Sequence, residues 1–152
     1  MQKYKVAGYI RLSKEDKIKD ESYSVTNQKA IMKSYIKNYT DLELVDFYID
    51  DGYSGTTFDR PDFKRMIRDI TENKVNTVIV KDLLRFGRNH IQSDDYIENI
   101  LPGYNVRFIS IIDDIDSLKN PKSVNSIAVT LKNLMNDQYA KDISKKVGQL
   151  YK

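Results

Sequence analysis

Short apolar segments that alternate with amphipathic ones constrain the fold of this 152-residue chain more than any other feature. Four such segments are rich in valine, isoleucine and aromatic residues, and they are Val6–Ile10, Leu44–Ile49, Val75–Val80 and Val106–Ile112. Their length and their β-branched residues predict buried strands, with Val75–Val80 as the central one. Strands that alternate with helices favour a parallel α/β sheet, in which ligands bind beyond the carboxyl ends of the strands.

Amphipathic helices are predicted between these strands. Ser22 or Ser24 is a suitable N-cap for the first helix. The apolar stripe of that helix is expected to comprise Ala30, Ile31, Met32, Tyr35 and Ile36. Pro61 suits the first position of a second helix, and Asp59 is its expected cap. The buried face of the second helix is expected to comprise Phe63, Met66, Ile67 and Ile70. A third helix is expected from Gln92 to Leu101.

The last thirty residues, from Ser123 to Lys152, have the pattern of one long amphipathic helix. Its apolar seam comprises Val124, Ile127, Leu131, Leu134, Tyr139, Ile143, Val147 and Leu150. The segment from Lys122 onwards carries six lysines against two aspartates. We expect the first half to pack on its own sheet, while the second half suits a partner chain or DNA.

The composition limits the classes of function. There are no cysteines and one histidine, His90, so thiolate and histidine-based metal sites are excluded. No segment has the length or hydropathy of a signal peptide or a membrane span, and we therefore expect a soluble cytoplasmic protein. The net charge of +3 is modest, so nucleic-acid binding depends on where the charges lie.

Arginines follow three of the predicted strands. Arg11 and Ser13 are two positions apart at the end of the first strand, and such residues face the same side. Arg60 follows the second strand through a long glycine-containing loop, and Arg85 and Arg88 follow the third. Four arginines that converge on one serine suit phosphoryl transfer, because the cations stabilise charge on the phosphate while the hydroxyl attacks.

Simpler interpretations of these residues remain open at this point. Arg11 and Ser13 are also compatible with an ordinary surface pair that closes a strand. Asp113, Asp114 and Asp116 after the fourth strand are compatible with Mg²⁺, but also with caps and turns.

Four ordered motifs resemble those of the catalytic domain of serine site-specific recombinases, the family of resolvases, DNA invertases and large serine integrases and transposases. The family patterns are Tyr-x-Arg-x-Ser, Ser-x-x-x-Gln, Asp-x-x-Ser-Gly followed by an arginine, and Arg-Leu/Phe-x-Arg. They match Tyr9–Ser13, Ser24–Gln28, Asp51–Gly55 with Arg60, and Arg85–Arg88. Asp137–Ser144 also resembles the start of the family's long helix. The charged run 14–21 and the segment Lys81-Asp82-Leu83 resemble the large, transposon-type branch of the family.

The resemblance implies a three-layer α/β/α resolvase-like domain in residues 1–120, with a mainly parallel sheet of four to five strands. Residues 121–152 would begin a long C-terminal helix that dimerises and contacts DNA. The implied partners are double-stranded DNA and a second copy of the chain, with two dimers pairing into a synaptic tetramer. A separate DNA-binding region is expected to follow the long helix, outside this sequence.

The same resemblance implies roles for individual residues. Ser13 would attack a DNA phosphodiester and form a 5′-phosphoserine link with a free 3′-hydroxyl, without metal, ATP or another cofactor. The scissile phosphate would be held by Arg11, Arg60, Arg85 and Arg88, with Gln28 supporting the site. Small resolvases have an aspartate where this chain has Leu84, and we do not transfer its role to Asp82. His90 is only a weak candidate for a general acid or base.

Two other classes of function are compatible with the sequence. A flavodoxin-like or nucleotide-binding module would use the arginines to hold a small phosphorylated ligand, although it leaves the basic tail helix unexplained. A non-catalytic DNA-binding protein on the same fold would retain the architecture without the reaction, and the substitution at Leu84 keeps that alternative open.

Overall fold

A five-stranded, mainly parallel sheet forms the centre of the computed structural model, which describes residues 3–14, 24–125 and 127–150. The strands are β1 (Tyr4–Leu12), β2 (Leu42–Asp51), β3 (Thr77–Val80), β4 (Arg107–Ser110) and β5 (Ile115–Asp116). They lie in the order β2-β1-β3-β4-β5, and β5 is antiparallel to β4 while the other pairs are parallel. The predicted sheet of four to five strands, with β3 at its centre, is confirmed.

The described residues also form five α-helices and a 3₁₀ turn over Pro121–Val124. The α-helices are α1 (Val25–Lys37), α2 (Pro61–Thr71), the one-turn helix α3 (Leu83–Phe86), α4 and α5 (Ile127–Leu150). Helix α4 consists of His90–Asp95, a π-helical turn over Tyr96–Ile100, and Leu101–Gly103. The predicted helix at 92–101 is therefore confirmed, whereas α3 was not expected from the sequence. None of the described helices is long and apolar enough to cross a bilayer.

The two faces of the sheet are covered by different helices, which gives three layers. Val6 and Ile10 of β1 pack with Met32 of α1 on one face. Ala7 and Tyr9, which alternate with them, pack on the other face in a larger core shared with α2, α4 and α5. Because side chains alternate along a strand, Arg11 and Ser13 lie on the same side as Tyr9.

The expected apolar stripe of α1 is wrong at Ala30, which is exposed. Ser24 caps the helix as predicted, since its Oγ accepts from Asn27 N at 3.0 Å. Gln28 and Met32 are the buried residues, and Gln28 donates to the carbonyl of Arg11 at 3.2 Å. Residues two apart on a helix lie about 200° apart, so an inward Gln28 directs Ala30 to solvent.

The expected cap of α2 is also wrong. Asp59 is exposed and forms an ion pair with Lys64, and the N-cap residue is Arg60. The helix is capped instead by Asp50 at the end of β2, whose carboxylate accepts from Asp62 N and Phe63 N at 2.9 Å each. A carboxylate at this position satisfies N–H groups that the first turn leaves without partners.

Helix α5 divides into a packed and an exposed part. Ile127 and Leu131 are fully buried against the core, and Leu134 is partly buried. Tyr139 and Ile143 are 68% and 42% exposed. The expectation that the first half packs on its own sheet is confirmed. The side chains of Val147 and Leu150, two expected seam positions, lie outside the described part of the structure. Ser22 and most of the charged run 14–21 also lie outside it.

Candidate active site

A cleft at the carboxyl ends of β1 and β2 contains Ser13. Its volume is about 420 Å³, and it is lined by Arg11, Ser13, Lys14, Gly52, Ser54, Gly55, Thr56 and Arg88. Three of these residues are cations and none is acidic, so an anion that enters the cleft meets a positively charged lining. The structure thus brings together three of the six sequence-predicted site residues in one cleft: Arg11, Ser13 and Arg88.

Arg11 is buried and lies between the loop that follows β2 and the short helix α3. Its Nη2 donates to the carbonyl of Leu84 at 2.6 Å and its Nε to that of Arg85 at 3.2 Å. Its Nη1 reaches the carbonyl of Tyr53 at 3.3 Å. The guanidinium therefore fixes both the loop after β2 and the helix α3 to the end of β1.

Arg60 does not line the cleft but lies fully buried behind it. Its Nε donates to the carbonyl of Thr57 at 2.8 Å, and its Nη1 donates to the carbonyl of Phe86 at 2.7 Å. The guanidinium also packs over the ring of Phe58, at 4.5 Å from the centroid. A buried cation needs such compensation, because desolvation without hydrogen bonds is costly.

Three of the carbonyls that these two arginines contact belong to consecutive residues, Leu84, Arg85 and Phe86. A one-turn helix leaves its last carbonyls without partners inside the helix, and they carry partial negative charge. Arg11 and Arg60 satisfy these carbonyls, so the position of α3 depends on both guanidinium groups.

Arg88 is the arginine best placed to contact an incoming anion. Its main-chain N–H donates to Gly55 O at 2.6 Å, whereas none of the hydrogen bonds among the described residues involves its guanidinium. Gly55 ends the motif Asp51–Gly55 but was not among the predicted site residues, because only tertiary structure shows its surroundings. A Cβ there would lie 2.7 Å from Arg88 Cγ and 2.8 Å from Arg11 Nη2.

The two remaining predicted residues contact the site from outside the cleft. Arg85 is buried, and its Nε lies 3.4 Å from Asp82 Oδ1, which also caps α3 by accepting from Arg85 N at 2.9 Å. Gln28 supports the end of β1 through its bond to the carbonyl of Arg11. Neither Leu84 nor His90 lines the cleft.

The acidic residues after β4 have structural partners. Asp113 accepts from Leu83 N and from Ser110 Oγ, each at 2.7 Å. Asp116 forms a two-point pair with Arg107, at 2.9 and 2.6 Å. Burial raises the pKa of Asp116, but the hydrogen bonds and charge of Arg107, together with the main-chain N–H groups of Lys119 and Leu118, outweigh that effect and the net pKa is lowered. These contacts favour the cap-and-turn interpretation of the cluster over the Mg²⁺ site.

Comparison with known proteins supports the interpretation of the fold. The family described as "Resolvase, N terminal domain" matches residues 6–151. A resolvase family site-specific recombinase from Streptococcus pneumoniae is 30% identical, with a TM-score of 0.66, and the alignment covers 99% of this chain and 100% of that one. No curated protein matches the chain significantly.

Two further solved structures share the fold. The N-terminal catalytic domain of TP901-1 integrase has a TM-score of 0.70 at 24% identity, covering 91% of this chain and 98% of that one. A serine recombinase from Sulfolobus solfataricus has a TM-score of 0.56 at 22% identity, covering 99% and 100%. Since the family match spans nearly the whole chain, this protein belongs to the resolvase N-terminal domain family, the family of serine recombinase catalytic domains.

Proposed function

We propose that this domain cleaves and rejoins double-stranded DNA through a covalent 5′-phosphoserine at Ser13. In this step Ser13 Oγ forms a bond to the scissile phosphorus, and the bond between phosphorus and the 3′ oxygen breaks. The serine proton passes to water, and the departing oxygen takes up a proton to become a 3′-hydroxyl. Attack by another 3′-hydroxyl on the phosphoserine reverses the step and rejoins the DNA.

The observation that carries this proposal is the composition of the cleft. Ser13 lies at the end of β1 in the same cleft as Arg11, Lys14 and Arg88, and no lining residue is acidic. A phosphodiester carries a negative charge that increases on its non-bridging oxygens as the nucleophile attacks. Cations fixed by the fold stabilise that charge without reorganisation at the moment of reaction.

The arginines have different parts in the proposed reaction. Arg88 contacts a phosphate oxygen directly, since none of its described hydrogen bonds uses the guanidinium. Arg11 contacts the phosphate from the floor of the cleft while holding α3. Arg60 and Arg85 act from behind the cleft wall, and Gln28 supports the main chain that carries Arg11 and Ser13.

The proposed reaction needs neither ATP nor a metal, for two different reasons. The covalent link retains the energy of the broken phosphodiester, so rejoining requires no ATP. The positive charge that a metal would supply to the phosphate is supplied by the guanidinium groups. We therefore propose that the reaction proceeds in the presence of a chelator.

The family membership also supports a proposal about partners. We propose that the chain acts as a homodimer, that two dimers form a tetramer on DNA, and that the second half of α5 forms the contact. Tyr139 and Ile143 there are exposed apolar residues, which a partner chain would cover. Phosphate contacts position DNA without specifying its sequence, so this domain alone is expected to bind DNA with little sequence preference.

The first test is the formation of a covalent protein–DNA adduct. The full-length protein is incubated in EDTA with duplex DNA from the ends of the genetic element that encodes it, and adducts are separated on a denaturing gel. We expect an adduct with the wild type and none with Ser13→Ala. Ser54→Ala is the matched control, because Ser54 lines the same cleft and its Oγ lies 2.8 Å from Thr56 Oγ1.

Each other outcome contradicts part of the proposal. An adduct that survives Ser13→Ala places the nucleophile elsewhere. An adduct that forms only when a divalent metal is supplied contradicts the metal-independent step. DNA binding without any adduct supports the non-catalytic alternative.

A further inference from the structure

Tyr9 and Asp50 connect the buried Arg60 to the start of α2, and neither has a role in the reaction as proposed above. We propose that Asp50, acting through the hydroxyl of Tyr9, positions the Arg60 guanidinium for the transition state. Both are positioning residues, since neither lines the cleft that holds Ser13. This inference rests on the proposed function of the cleft.

The connection consists of two hydrogen bonds between fully buried groups. Arg60 Nη1 lies 3.0 Å from the Tyr9 hydroxyl oxygen, and that oxygen lies 2.9 Å from Asp50 Oδ2. All three residues are at most 1% exposed. Water therefore does not compete for these bonds, and low local dielectric strengthens them.

The direction of both bonds is fixed by chemistry. A guanidinium can only donate, so the tyrosine hydroxyl accepts from Arg60 and its own proton is left to donate to Asp50. Burial raises the pKa of Tyr9 well above its ordinary value; the charge of Arg60 lowers it and that of Asp50 raises it further. The hydroxyl consequently keeps its proton, and both hydrogen bonds of this Arg60–Tyr9–Asp50 relay keep one direction.

Asp50 is in turn held by the helix that begins directly after Arg60. Its two oxygens accept from Asp62 N and Phe63 N in the first turn of α2. Arg60 is the N-cap residue of the same helix. One carboxylate therefore fixes both the main chain next to Arg60 and, through Tyr9, the far end of its side chain.

The remaining contacts of Arg60 indicate what the relay is for. Among the described residues no carboxylate forms an ion pair with Arg60, and Asp50 is linked to it through Tyr9. A guanidinium has five N–H groups, and four of them donate here: Nε, both on Nη1, and one on Nη2 that reaches Gly55 O at 3.4 Å. The fifth is also on Nη2, whose other N–H reaches Gly55, a residue that lines the cleft. Through its bond to Nη1 the relay thus fixes the plane of the guanidinium behind the cleft, from where its charge acts on a phosphate.

The test compares Tyr9→Phe and Asp50→Asn with the wild type in single-turnover cleavage of the same duplex DNA. We expect the cleavage rate constant to fall about 10- to 100-fold, the effect of a misplaced catalytic group, while DNA affinity changes less than about twofold. In an Arg60→Ala background, Tyr9→Phe should have no further effect, because Tyr9 acts only through Arg60.

Tyr48→Phe is the matched control. Tyr48 is also a buried tyrosine whose hydroxyl donates to a carboxylate, Asp69 Oδ2, at 2.6 Å, and neither residue lines the cleft. It should lose comparable stability without a change in the cleavage rate constant. The ¹⁵N resonances of the Arg60 guanidinium provide a second readout, and they should shift in Tyr9→Phe but not in Tyr48→Phe.

The outcomes separate this inference from the proposed function. If the wild type cleaves DNA and Tyr9→Phe cleaves at the same rate, only the positioning role is overturned. Effects of Tyr9→Phe and Arg60→Ala that multiply independently also overturn it. If the wild type forms no adduct, the proposed function is contradicted. The relay is then tested separately by the ¹⁵N resonances, and Arg60 resonances that do not shift in Tyr9→Phe would contradict it.

Discussion

Gly55 shows how closely a single residue can control the cleft. The main chain at Gly55 accepts from Arg88 N, while the space where a side chain would begin is occupied by the side chains of Arg88 and Arg11. An alanine would place its Cβ 2.7 Å from Arg88 Cγ and 2.8 Å from Arg11 Nη2, distances at which the neighbours must move. Arg11 can move little, because three carbonyls hold its guanidinium.

We therefore predict that Gly55→Ala impairs the reaction more than it impairs folding. Displacing the two arginines should lower the cleavage rate constant at least about tenfold. Overpacking of this size should cost about 1–3 kcal/mol of unfolding free energy. Single-turnover kinetics and urea unfolding measure the two effects. Gly103→Ala is the control, because no atom lies within 4 Å of its Cβ position, and it should change neither quantity appreciably.

At the scale of elements, the one-turn helix α3 is held at both ends by residues distant in sequence. Asp113 accepts from Leu83 N at its start, and Arg11 and Arg60 satisfy the carbonyls at its end. Burial, together with the nearby charge of Asp82, raises the pKa of Asp113, although its hydrogen bonds from Ser110 and Leu83 oppose the shift. This end of the helix should therefore respond to pH.

The sign of that response follows from proton linkage. Between the ordinary pKa of 3.8 and the raised value, the folded protein binds more protons at Asp113 than the unfolded chain does. The unfolding free energy contributed by this residue therefore falls as pH rises through that interval. We predict that Asp113→Asn removes this fall, so the difference in stability moves in favour of the variant as pH rises. Urea unfolding of both proteins at several pH values measures it, and parallel curves would contradict the prediction.

The sequence predicted the elements better than their connections. Parallel strands bring residues at their carboxyl ends to one edge, and this alone was enough to group Arg11, Ser13 and Arg88 in one cleft. It did not predict that Asp50 rather than Asp59 caps α2, because that contact comes from the neighbouring strand rather than from the residue beside the helix.

The position of Arg60 was beyond sequence reasoning for a related reason. Its guanidinium contacts carbonyls of two separate segments and a tyrosine of a third, and main-chain acceptors leave no signal in side-chain identity. The motif located the residue, but only the structure shows it behind the cleft wall rather than in it. Tyr9 had a detectable signal, since it is two positions before Arg11 and shares its side of the strand.

At the scale of the whole molecule, the structure divides between the packed domain and the exposed part of α5. We predict that Leu131→Ala, at a fully buried position, lowers the unfolding free energy by about 2–5 kcal/mol. Ile143→Ala, at a half-exposed position, should change the stability of the monomer by less than about 0.5 kcal/mol. Urea unfolding at low protein concentration measures both, and equal losses would show that the second half packs as the first does.

The most direct measurement of the central claim is the identity of the amino acid that carries the DNA. The covalent adduct formed in EDTA is digested with nuclease and protease, and mass spectrometry locates the nucleotide-modified residue. We predict a single modified peptide, with a 5′-nucleotide phosphate on Ser13. A nucleotide on any other residue, or a 3′-phosphate link at Ser13, would contradict the account.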